Sequence, residues 1–278
     1  MYGVVTRNEE EVSWAEFDRA FFEMKDVTGR ATQPVPGAVN MISCFGDNAA
    51  VEGDPSLAPV TADGDRATRE RPYFDWDYVC PTNETYREGI LEMVSDAADA
   101  CEDVRLDDVG FPRAEYCHCD RCTRLFEESE FEERAAWREH VITEFVATAC
   151  ERVPGDLYLT LYPDPYPGHL ERRSGIDVDA LSEYVDEFVV PLYDMAYETT
   201  YWIEVIATGF RDRLETPFSI ELYAIGVDLD NLVHAVEVAG EYAGTVLFGY
   251  HAGNGRAAIR RMRADERAGV EYGPDDSG

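Results

Sequence analysis

Three thiols, Cys117, Cys119 and Cys122, fall in the pattern Cys-x-Cys-x2-Cys, with Cys80 upstream of them. Cysteines this close together suit a tetrahedral zinc ion, which takes thiolate ligands readily. Cys80 is the expected fourth ligand and His118 the fallback. Four thiolates leave no open coordination position, so such a zinc would be structural and not catalytic. The plainer alternative is three reduced thiols near solvent. The chain has seven cysteines, and an odd number argues against a disulfide framework.

Carboxylates form the second group. In Phe218-Ser219-Ile220-Glu221-Leu222-Tyr223 a period of two puts Ser219, Glu221 and Tyr223 on one face and the apolar residues on the other. In Val104-Arg105-Leu106-Asp107-Asp108, Arg105 and Asp107 share a face, and Arg105 is placed to pair with a neighbouring acid. An ionised carboxylate facing inward is costly unless it is paired or functional, so a buried ion pair is the bland alternative for each. Two carboxylates across a pocket, flanked by aromatic rings, are the equipment for hydrolysing a glycosidic bond, one as acid/base and the other as nucleophile or base. Asp107 and Glu221 are therefore the expected catalytic residues. Trp76, Arg105, Asp108, Tyr162, Tyr193, Asp194, Tyr223 and His251 stand at or near the ends of expected strands and are the expected substrate-binding residues.

These side chains must be held by something, and the chain alternates short β-like runs with helical ones. Strands are expected at 4–6, 39–45, 73–79, 104–109, 157–162, 188–193, 218–223 and 245–250. Helices are expected between them, the first at 13–27, where Ser13 and Glu16 have the form of a capping box. Residues 46–72, rich in Gly, Pro and Asp, form a long connection of the kind that often walls a site. Alternating units of this kind imply a parallel α/β fold, and eight of them match a single-domain (β/α)8 TIM barrel over residues 1–265, with a polar tail at 266–278. A doubly wound open sheet is the competing architecture, weakened because no glycine-rich phosphate-binding pattern follows any strand. A barrel keeps its chemistry where strands run into the following loops. It also sets the exit loops of adjacent strands side by side, which is the reason for choosing Cys80.

Composition limits the partners. Asp plus Glu number 57 against 24 Lys plus Arg, a formal net charge of -33 over 278 residues, and Lys25 is the only lysine. So acidic a chain has no basic footprint for nucleic acid and none for an anionic membrane surface. No basic and apolar leader opens the sequence and no run is long enough to span a bilayer, so a soluble cytoplasmic protein is expected. The partner expected is a small saccharide, and nothing in the sequence sets an oligomeric state. Acid excess with almost no lysine resembles the composition of halophilic archaeal proteins, which stay soluble in molar salt, where charge repulsion is screened within about 3 Å.

The cysteine pattern and its distance from the carboxylates also carry a resemblance. Cys80, Cys117, Cys119 and Cys122 resemble the zinc ligands of glycoside hydrolase family 42 β-galactosidases, which are (β/α)8 barrels. The resemblance implies an acid/base carboxylate at Asp107 or Asp108 and a nucleophile at Glu221. It spans mostly residues 73–223. Where that family has Asn-Glu, this chain has Leu106-Asp107, and it is too short for the family's accessory domains. The segment Leu106-Asp107-Asp108-Val109-Gly110-Phe111-Pro112 is also similar to the Asp-x-Val-Arg-Phe-Pro segment of other glycosidase-like barrels, with Gly110 in place of the arginine. Two competing functions remain: a non-catalytic carbohydrate-binding or regulatory barrel that keeps fold and zinc, and a metal-dependent hydrolase using His and Asp. The second is disfavoured by only five histidines and no His-x-His after an early strand.

Overall fold

In the computed structural model, which describes residues 1–269, eight parallel strands close into a barrel in sequence order. They are β1 (Tyr2–Thr6), β2 (Arg19–Lys25), β3 (Val39–Ser43), β4 (Val104–Asp107), β5 (Leu157–Thr160), β6 (Glu187–Pro191), β7 (Phe218–Tyr223) and β8 (Thr245–Gly249). Helices surround them: α1 (Asn48–Gly53), α2 (Glu84–Ala100), α3 (Asp120–Glu127), α4 (Arg134–Cys150), α5 (His169–Ser174), α6 (Val178–Leu181), α7 (Tyr201–Arg213), α8 (Leu229–Gly240) and α9 (Ala252–Ala268). The expected (β/α)8 architecture is the one observed, and the open sheet is not. No helix among the described residues is long and apolar enough to cross a membrane.

Eight strands were expected and eight are present, but two expectations were wrong in compensating ways. The expected helix at 13–27 is instead β2, paired in parallel with β1 and β3. The capping-box reading fails because Ser13 Oγ donates to the Glu10 carbonyl and Glu16 pairs with Arg260 of α9. Barrel closure overrides local helical preference here. Ala20, Phe22 and Met24 turn out to the helices, while Phe21 and Glu23 turn in; an irregularity in the β2–β3 register after Glu23 sends Lys25 to the α2 side. The expected strand at 73–79 is irregular backbone, tied to the neighbouring loop by an isolated bridge between Gly46 and Tyr78. The start of the expected tail, 266–268, belongs to α9, which is capped by Gly269, and residues 270–278 lie outside the described residues.

Two apolar layers hold the barrel. The larger lies between strands and helices, with Ile42, Leu106, Leu159, Val190, Ile220 and Phe248 among its members. The smaller fills the barrel interior with Val5, Phe21, Val39, Met41, Tyr158, Val189 and Leu247. Six strands supply both by period-two alternation, whereas β4 and β7 turn Arg105, Ser219 and Glu221 inward instead. Above the inner layer, toward the strand exits, apolar residues give way to Glu23, Arg105 and Glu221, all buried.

Candidate active site and cysteine cluster

The exit face of the barrel opens into a cavity of about 520 Å³. Its lining includes Arg7, Glu23, Trp76, Tyr78, Arg105, Asp107, Asp108, Tyr162, Tyr193, Tyr223 and Tyr250. The non-glycine residues with left-handed backbone, Asp108 (φ 51°), Tyr197 (φ 52°) and Tyr250 (φ 63°), all follow strands at this face. Backbone held in a sparsely populated region tends to cluster at functional sites. Tyr197 shows what over-determines it: its hydroxyl donates to the Leu192 carbonyl at 3.0 Å and accepts from the Tyr223 amide at 2.6 Å, tying the exits of β6 and β7 together.

Arg105 organises the floor. It is 1% exposed, and its Nη2 lies 2.7 Å from Glu221 Oε2 and 3.9 Å from Asp107 Oδ2. Its Nε donates to Thr160 Oγ1 at 3.0 Å, and its guanidinium sits 5.5 Å over the Phe21 ring. The sequence placed Arg105 to pair with an acid across the barrel, and Glu221 is that acid. Glu221 is 0% exposed; its Oε2 is paired with Arg105 by charge alone, without a hydrogen bond, and its Oε1 accepts from the Tyr193 hydroxyl at 2.5 Å. A Cβ on Gly249 would stand 3.0 Å from Glu221 Oε1, so the glycine at the end of β8 gives this carboxylate its room. Because one Arg105 nitrogen serves both acids, the nearest oxygens of Asp107 and Glu221 are no farther apart than the sum of its two distances. That limit falls at the lower edge of the about 6.5–9.5 Å spacing of inverting glycosidases and admits the about 5–5.5 Å of retaining ones.

Asp107 and Asp108 separate here. The Asp107 side chain, 18% exposed, faces the cavity beside Arg105. Asp108 turns toward β3, where Ser43 Oγ lies 2.6 Å from its Oδ2 and 2.9 Å from the Gly46 carbonyl. One hydroxyl proton cannot serve two acceptors at once, and the carbonyl brings none. Both contacts are satisfied when Asp108 carries a proton of its own. Burial, with the charge of Asp107 next to it, pushes the Asp108 carboxyl up to about 8, which agrees. Burial also raises the Glu23 carboxyl, against the opposing pull of Arg7.

Most expected site residues converge. Trp76, Arg105, Asp107, Asp108, Tyr162, Tyr193 and Tyr223 line the cavity, and Glu221 lies buried beneath Arg105 and Tyr193. Asp194 and His251 do not join them. The Asp194 carboxylate accepts from the Ala196 amide in its own turn. His251 caps α9, with Nδ1 accepting from the Asn254 amide. Its neighbour Tyr250 faces the cavity instead. Sequence reasoning missed Glu23 because it read β2 as a helix, and Arg7 because it named no residue at the exit of β1. The signal was the alternation Phe21-x-Glu23 against Ala20-x-Phe22-x-Met24. Lys25, the chain's only lysine, is buried and donates to the Ser43 and Gly46 carbonyls at 2.8 and 3.2 Å, beside Asp47 at 3.2 Å.

Cys80, Cys117, Cys119 and Cys122 meet at the exit of β4, their sulfurs all within 4.8 Å of one another. They form no disulfide. His118, the fallback ligand, is not part of the group. Cys80 arrives on the long loop after β3, the strand that pairs with β4. Two sulfurs accept three backbone amides at 3.4 Å: Cys117 from Val60 and from Cys119, and Cys119 from Cys122. Amides directed at sulfur favour thiolate, the form that binds metal. The donor set fits a closed four-thiolate metal site, and these four residues would hold the ion. The cluster also joins two cavity walls. The loop after β3 supplies Tyr73, Phe74, Trp76 and Tyr78, and the loop after β4 supplies Val109, Phe111 and Pro112.

No family model matches the chain, and no curated protein matches it. Its fold does have solved counterparts. It is similar to α-L-fucosidase isoenzyme 2 from Paenibacillus thiaminolyticus, with a TM-score of 0.64 at 13% identity over 97% of this chain. It is similar also to a class V chitinase from Pseudomonas fluorescens (TM-score 0.53, 12% identity, 94% of this chain and 98% of that one). A third is a family 18 chitinase from Cycas revoluta, solved with allosamidin (TM-score 0.52, 10% identity, 96% of this chain and 99% of that one). The chain spans 50% of the fucosidase's length. At these identities the likeness is one of fold: a (β/α)8 barrel shared with glycoside hydrolases.

Proposed function

We propose that the protein is a glycoside hydrolase-like enzyme acting on a small saccharide, with Asp107 as acid/base and Glu221 as nucleophile. The carrying observation is that one buried arginine, Arg105, gathers a carboxylate from β4 and one from β7 under an aromatic-walled cavity. In this reaction the Asp107 proton passes to the leaving-group oxygen while a Glu221 oxygen bonds to the anomeric carbon. Water, giving its proton back to Asp107, then releases the sugar and frees Glu221. Substrate must displace the Tyr193 hydroxyl to uncover Glu221. The four cysteines are proposed to hold a structural zinc that supplies no chemistry to the reaction and fixes the two loops bearing the cavity wall. A reducing, salt-rich cytoplasm suits free thiols and a net charge of -33.

The complete burial of Glu221 favours a second reading, a carbohydrate-binding barrel in which the Arg105–Glu221 pair is structural. A panel of nitrophenyl and dinitrophenyl glycosides in molar KCl separates the two. The enzyme reading expects turnover of at least one sugar, abolished in Glu221→Gln. Asp107→Asn should lose about 10²–10⁴-fold, and less on dinitrophenyl leaving groups, which need no proton. Sugar binding by the wild type without turnover across the panel would establish the binding reading.

A further inference from the structure

The proposed reaction uses β4 and β7 and leaves a third buried acid on the cavity wall without a role. Glu23 of β2 is 4% exposed and lines the cavity. Its Oε2 is bonded by Arg7 Nε, and its Oε1 accepts from the Tyr250 hydroxyl at 3.2 Å. Arg7 lies 5.0 Å over the Tyr250 ring and is braced from behind by Asp26, 3.9 Å from its Nε. Asp26 is fixed in turn by the Thr28 amide at 2.9 Å and by Arg30 at 3.3 Å. Among the described residues, no hydrogen bond engages the terminal nitrogens of Arg7, which also lines the cavity. Glu23 is buried and Arg7 half exposed at the cavity rim, so the pair offers an acceptor and donors side by side.

We propose that Glu23, Arg7 and Tyr250 form a substrate-binding subsite that recognises adjacent hydroxyls of an uncharged sugar ring, one hydroxyl donating to Glu23 and its neighbour accepting from Arg7. The ligand class follows from charge. A carboxylate already paired with its guanidinium presents no free ion to attract an anion or a cation, but each partner keeps hydrogen-bonding capacity. The floor repeats the pattern, since Arg105 is paired with Glu221. Bonds between hydroxyls and charged groups are the stronger kind, and a buried polar group left without its hydroxyl is costly. The subsite would therefore select against a sugar lacking either hydroxyl, most strongly the one that donates to buried Glu23.

This inference rests on the glycoside reading, and the test separates the two. Wild type, Glu23→Gln and Arg7→Gln are compared by calorimetry with neutral monosaccharides. They are also compared kinetically on the best nitrophenyl glycoside and its monodeoxy analogues. Glu23→Gln keeps the shape and an acceptor for Tyr250, and Arg7 is half exposed, so the two variants fail differently if folding suffers. The subsite expects Kd and KM to rise about tenfold or more in both variants, with the loss falling on KM and not on kcat. It also expects one deoxy analogue to bind wild type and Glu23→Gln alike. Wild-type affinity in both variants, or an equal loss on every analogue, overturns the subsite while leaving the glycoside reading intact. A wild type that binds no neutral sugar overturns both.

Discussion

The cysteine cluster and the carboxylate floor were reached by different routes. Three of the four cysteines lie within six residues, so a single loop and the first turn of α3 bring them together, and one long-range contact, Cys80, completes the set. The floor needs Glu23, Arg105, Thr160, Tyr193 and Glu221 from five strands or their exits, and no two of them are neighbours in sequence. A locally built site survives errors in the strand assignment. A site built by the barrel does not: misreading β2 removed Glu23 from view while Cys80 stayed correctly placed.

The largest expected effect tests whether the local site supports the distant one. Replacing Cys122 with Ser should abolish binding of the proposed zinc, read by elemental mass spectrometry of wild type and variant. Because structural zinc in small domains contributes on the order of 10–16 kcal/mol of apparent binding energy, the two loops should also lose hydrogen-exchange protection together. Retained protection in a zinc-free variant would show that the cavity wall stands without the cluster.

Breaking the floor from one side comes next. Arg105→Met leaves Glu221 buried without its cation and should cost about 3–5 kcal/mol in chemical denaturation. Adding Glu221→Met should restore much of that loss, because removing both charges also removes their desolvation cost. A double variant no more stable than the single one would mean that the pair is not the unit it forms in the structure.

The last test concerns Asp108. Its folded pKa, about 8, lies above the ordinary 3.8. The unfolded chain therefore loses this proton first as pH rises, and stability from this group declines between about pH 4 and 8. Asp108→Asn cannot titrate and should flatten that decline in thermal melts taken across the range. An unchanged slope would place the proton elsewhere.

Legibility followed the same division. Alternation in 104–107 and 218–223 was readable because polar and apolar residues trade places cleanly, and it correctly turned Arg105, Asp107 and Glu221 inward. The same alternation in β2 was obscured. Phe21 faces in beside Glu23, the register shifts before Lys25, and the run of Phe17, Phe21, Phe22 and Met24 also fits a helix face. Asp194 and His251 stand at strand exits as expected, but each spends its side chain on its own backbone, a choice that depends on a turn conformation invisible to spacing. Trp76 reaches the cavity from irregular backbone, so its placement was right although the strand proposed for it was not.

By itself, the amino-acid order determined the repeated β/α rhythm, the thiol spacing and the surplus of acid, because these are properties of neighbouring residues and of composition. Only the tertiary structure decided which few of the 57 acids are buried and paired, and which residues meet over the barrel's mouth. Burial and pairing are set by what closure of the barrel brings from distant strands. A carboxylate's cost, proton and partner all depend on that neighbourhood.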